Sequence, residues 1–145
     1  QLHQANLTRA NLARADLTKS KLPGANFKSA DLTKANLNQA LMGANLGGAH
    51  LQGANFQAAQ LEEANISEVS NMQKASFVGA NLSKANLTKS KLAGADFVRA
   101  TFANANLSES NLAGADFTSA NLTKANLNQA LMGANLGGAH LQGAN

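Results

Sequence analysis

Residues 32–55 read LTKANLNQALMGANLGGAHLQGAN, and residues 122–145 repeat them letter for letter. Twenty-four identical residues at a separation of 90 mark an internal duplication,. Inside the block, Leu32, Leu37 and Met42 are five apart, the step to Leu46 is four, and Leu51 restores five. That beat runs through the whole chain. Leu, Phe, Met or Ile recurs from Leu2 to Leu141, giving 29 centres. The only irregular steps are the two of four residues, to Leu46 and Leu136, and one of six, from Ile66 to Met72. Two residues before the countable centres stands Ala at 24 positions and Ser at 20, 70, 90 and 110. The residue between is usually Asn or Asp, so the unit is A-(N/D)-L-x-x.

Neither regular structure suits this period. Five residues advance an α-helix by about 500°, which smears the centres around the cylinder. Five is odd, so on a flat strand successive centres alternate faces. A chain that turns by about a quarter every five residues points every centre at one axis, and four units close a coil. Stacked coils then pair their backbones in parallel, about 4.8 Å apart, which makes a solenoid. The Phe residues fix the count at four units per coil: Phe56, Phe77, Phe97 and Phe117 then form one interior column, which three or five units scatter. Phe27 and Phe102 fall on other faces, and the irregular steps must count as whole units for the column to form.

The A-(N/D)-L-x-x tandem, spanning the whole chain, resembles the pentapeptide repeat proteins, a family abundant in cyanobacteria. The resemblance implies an all-β solenoid: a right-handed quadrilateral parallel β-helix of about seven coils. It also implies that the centre and the small residue before it face inward while the other three positions face out. A bulkier residue at the Ala position would force the walls apart. Because Gln1 and Asn145 both lie within repeats, residues 1–145 are expected to be one domain of a longer protein. If such a rod is uncapped, end-to-end self-association is expected.

Composition narrows the function. There is no Cys, hence no disulfide or thiolate metal site, and no apolar run approaches a membrane span,. His3, His50 and His140 are scattered without carboxylates at ligand spacing,. Asp16, Asp31, Asp96 and Asp116 fill the position where Asn usually stands, so they read as repeat residues before they read as acids. No nucleophile and base pair emerges, and no enzyme, cofactor or metal is expected. The Gly pair in NLGGAH lacks the context of a phosphate loop and reads as turn chemistry,.

What remains is a structural or protein-interaction scaffold with an unidentified partner. Leu41 and Leu131 are the candidate contacts: each occupies the outward position before a centre, beside a four-residue step and a run of small residues. The family resemblance also raises mimicry of DNA toward a type II topoisomerase, but the net charge of +4 opposes it. Arg9, Arg14, Lys19, Lys21, Lys28 and Lys34 crowd the first two coils. They surround the perimeter, which favours a solvated, solubilising surface over specific nucleic acid recognition, with weak binding to polyanions or membrane surfaces as a further alternative.

Overall fold

A computed structural model describes residues 3–40, 43–131 and 133–145. The chain is held by parallel bridges between the residues that precede successive centres. Asn6 pairs with Asn26 and Asn11 with Asp31, 20 residues on, which is one coil of four units. Where a coil contains the four-residue step the offset falls to 19, as in Asn26 with Asn45 and Asp116 with Asn135. Where it contains the six-residue step it rises to 21, as in Asn55 with Ser76, and it returns to 20 at Ser76 with Asp96. The irregular steps are therefore absorbed one residue at a time without loss of register.

The unit Asn81–Ala85 shows why this sequence builds such a coil. Asn81 donates its N–H back to the preceding coil at Ala59 O (3.0 Å), and Leu82 donates forward to Thr101 O (2.7 Å). Lys84 donates forward to Ala103 O (2.9 Å), and Ala85 closes the corner on Leu82 O (3.1 Å). The remaining N–H, of Ser83, goes to the side-chain Oδ1 of Asn81 at 3.1 Å. All five backbone donors are thus satisfied, which a buried or stacked backbone requires. The preference for Asn or Asp before the centre follows, since a short side-chain acceptor two residues upstream closes an Asx turn. Lys84 has φ 56, the left-handed conformation that a type II turn asks of its third residue,.

Inside, the centres and the small residues are buried; Leu82, Ala85 and Leu87 are wholly inaccessible. Phe56, Phe77, Phe97 and Phe117 stack face to face at 4.7, 5.1 and 4.8 Å between successive ring centroids. Phe102 meets Phe97 edge-on at 5.1 Å, so the column is braced from a second wall. Toward the two ends burial declines: Leu7, Leu12 and Leu17, and Leu127 and Leu136, are partly exposed.

The six-residue step corrects the sequence reading at one point. Ser70 was expected to take the inward small position before Met72. Instead Val69 is buried there and Ser70 is pushed out to solvent. Lys91 accordingly donates to Val69 O (2.8 Å), following the inward residue rather than the spacing to the centre. An apolar Val loses less by burial than a Ser hydroxyl, which decides which residue bulges. The widened corner no longer closes on itself. The buried Ser90 hydroxyl of the next coil enters it, accepting from Val69 N (3.2 Å) and donating to Ile66 O (2.7 Å).

Ser90→Ala is therefore expected to cost about 1–3 kcal/mol, because it strands both Val69 N–H and Ile66 C=O. Ser110→Ala should cost less, since Leu107 O keeps its bond from Ser110 N at 3.2 Å when the hydroxyl is removed. Urea unfolding of the two variants checks this, and equal midpoints would contradict the role given to Ser90.

Candidate interaction surface

Side chains before the centre and at the two turn positions carry the surface chemistry. The carboxylates among them are engaged locally. Thr18 donates its hydroxyl to Asp16 at 2.5 Å and its N–H at 3.0 Å, and Thr118 does the same to Asp116 at 2.5 and 2.9 Å. These hydroxyl bonds, then the backbone bonds, hold both carboxyls below the ordinary value of 3.8, and Thr33 does likewise for Asp31. A folded carboxyl pKa below its unfolded value stabilises the fold above pH 3.8 and loses that contribution as pH falls through the lowered values,. The melting temperature should therefore decline on acidification below this point. Replacing Thr18, Thr33 and Thr118 together by Val should shrink that decline.

Several charges neutralise one another across coils. Lys84 Nζ lies 3.1 Å from Glu63 and 3.6 Å from Glu62, and Lys89 lies 3.9 Å from Glu109. The basic excess sits in residues 1–40, where Arg9, Arg14, Lys19, Lys21, Lys28 and Lys34 face only Asp16 and Asp31. Six minus two leaves +4 there, the whole net charge of the chain. His50 is exposed in the column between Asp31 and Asn71, with Ser70 Oγ 3.4 Å from its Nδ1. Among the described residues no group of three or more His, Cys, Asp or Glu is placed to hold a metal.

Leu131 pairs in parallel with Asn111, which in turn follows Lys91, so the three form one outer column. Leu131 is 65% exposed, and Leu141, the last centre, is 40% exposed. The residues following the centres on this face are Ala93-Gly94, Ala113-Gly114 and Gly133, which leave the wall around Leu131 low. Leu41, the other sequence candidate, lies outside the described residues, as do Met42 and Met132.

A feature that the sequence did not reveal lies over Gly47-Gly48. Between the turn residues Lys28-Ser29 of one coil and Ser67-Glu68 two coils on, these glycines leave a notch of about 290 Å³. Turn geometry accounts for Gly48, with φ +64, but not for Gly47. A Cβ on Gly47 would stand 3.1 Å from Asn45 Oδ1 and 3.2 Å from Asn65 Nδ2, against the amides that form the notch's side. The signal was present in NLGGAH, but only the stacking showed which residues stand on either side.

Comparison with known proteins gives concordant results. The family described as Pentapeptide repeats matches in eight copies, over residues 1–40, 41–70, 70–97 and 95–132. Among solved structures, HetL from the cyanobacterium Nostoc sp. is 31% identical, a pentapeptide repeat protein involved in heterocyst differentiation regulation. That match covers 96% of this chain and 75% of HetL, with a TM-score of 0.50. A pentapeptide repeat protein of the Arabidopsis thaliana thylakoid lumen is 30% identical over 74% of this chain and 65% of its own, with a TM-score of 0.36. QnrB1, a plasmid-mediated fluoroquinolone resistance protein, is 20% identical over 99% of this chain and 82% of its own, with a TM-score of 0.40. Among proteins with curated descriptions, none matches.

Proposed function

Because the chain belongs to the pentapeptide repeat family, we propose that it is a non-enzymatic scaffold for protein interaction, built as a rigid right-handed rod. Its 29 centres at four per coil correspond to about seven coils. At the strand spacing this is roughly 35 Å of rod, serving as one domain of a larger cyanobacterial protein. The observation that carries this reading is the closed hydrogen-bond accounting of the unit. The backbone and the Asn or Asp before each centre satisfy one another, so the two turn positions are free to vary without disturbing the fold,. A surface decoupled from its core in this way suits recognition of a partner. HetL's involvement in regulating differentiation is in keeping with such a role.

In this reading the contact is Leu131, and its exposure beside a run of Ala and Gly supports that choice. Leu41, in the duplicate of that block, is the second contact in this reading. A topoisomerase-directed mimic of DNA needs an acidic track. Among the described residues, three of the eight acids are instead paired with Lys84 or Lys89.

The test is comparative cross-linking in a cyanobacterial extract, with the natural chain and Leu131→Asp as baits. The expected result is a partner held by the natural chain and lost by the variant, with both melting at the same temperature. Identical capture by both would remove Leu131 from the contact.

A further inference from the structure

The notch over Gly47-Gly48 has a polarity along the rod axis. Lys28 stands on the coil before the two glycines, and the side-chain amide of Asn45 lines the notch on their own coil. The Asn45 Oδ1 is already taken, accepting from Gly47 N at 3.0 Å and from Asn65 Nδ2 at 3.0 Å. Its Nδ2 has no partner among the described residues, so it and Lys28 are available donors, beside the Ser29 hydroxyl, which can donate or accept,. On the coil after the glycines stands Glu68, an acceptor. The Asn65 Oδ1 beside it is occupied by Ser67 N at 3.2 Å and Asn86 Nδ2 at 3.4 Å.

Lys28 and Glu68 are also left uncompensated. Among the described residues neither forms an ion pair. Lys89, on the coil next to Glu68, pairs with Glu109. A cation and an anion thus line the same notch from the coils on either side of the glycines, neither held in an ion pair among the described residues. A simple anion is drawn to one end and repelled by the other, and a simple cation meets the reverse. A neutral molecule with separated charges satisfies both. The volume of about 290 Å³ lies just below the usual range for drug-sized ligands, so the occupant is small,.

We propose that this notch binds a small zwitterion of the α-amino-acid class. Its carboxylate lies toward Lys28 and the free Asn45 amide, and its ammonium toward Glu68. The site is half open, so the contacts are screened by salt and individually weak.

The experiment titrates the ¹⁵N-labelled chain with L-alanine, and in parallel with acetate and with methylammonium. The expected result is saturable shifts at Gly47, Gly48 and Ser29 with L-alanine, and weaker effects from either single ion. Lys28→Gln and Glu68→Gln should each weaken L-alanine binding about threefold. Both replaced side chains are exposed, so the variants should fold as the natural chain does. Absence of saturation up to about 50 mM L-alanine would overturn the proposal. So would equal affinity for acetate alone, which would mark a plain anion site, or unchanged affinity in both variants. The notch lies on the Asn45 column and Leu131 on the Asn111 column, so failure here leaves the partner-binding reading standing.

Discussion

Phe97→Ala is expected to cost about 3–5 kcal/mol, the range for emptying a buried aromatic site. Phe97 is the best-connected ring in the interior: it stacks on Phe77 at 5.1 Å and on Phe117 at 4.8 Å, and Phe102 meets it edge-on at 5.1 Å. The walls around it are tied by short backbone bonds, such as Phe97 N to Asp116 O at 2.7 Å. They cannot collapse into the space without breaking register. Phe77→Asp is the harsher form, adding an unpaired buried charge, and should abolish cooperative folding. The surface control is Lys74→Gln, a side chain that enters no ion pair among the described residues. Lys84→Glu is a poor control, because it would set a third carboxylate beside Glu62 and Glu63. Thermal unfolding distinguishes these cases, and a melting temperature for Phe97→Ala close to that of Lys74→Gln would refute the interior assignment.

The second large effect comes from adding volume. Ala85 is wholly buried, between Ala64 of the preceding coil and Ala105 of the next in one interior column. The coils are about 4.8 Å apart, so a longer side chain has nowhere to go along the axis. Ala85→Leu should cost about 3 kcal/mol, the upper end of ordinary overpacking, because coil spacing is fixed on both sides. Ala85→Ser should be milder, since Ser20, Ser90 and Ser110 already occupy equivalent positions with hydroxyls bonded to backbone carbonyls. Urea unfolding tests the pair: similar midpoints for Leu and Ser would show that interior width is not what restricts this position to Ala.

Particular residues show how far the sequence reaches. The period of five, the four units per coil and the counting of irregular steps as whole units all follow from the spacing of Leu and Phe. The bridge offsets of 20, 19 and 21 express the same count. These are properties of a repeating chain, where each unit meets the same neighbours and local pattern carries global information. The need for Asn or Asp before the centre was visible as a preference, but its cause was not. The Asx bond to the N–H two residues on appears only once the other four donors are seen to be taken.

Where the repeat breaks, spacing no longer decides. Whether Val69 or Ser70 turns inward depends on the cost of burying each and on a hydroxyl arriving from Ser90, 20 residues beyond Ser70. The notch has the same origin. Gly47 and Gly48 are neighbours in the chain, whereas Lys28 and Glu68 are brought to its two sides by the coils before and after. By itself, then, the sequence determined the solenoid and its interior, because that interior is one contact repeated. Only the tertiary structure decided the surface, because side chains with no rule linking them in sequence become neighbours through the stacking of coils.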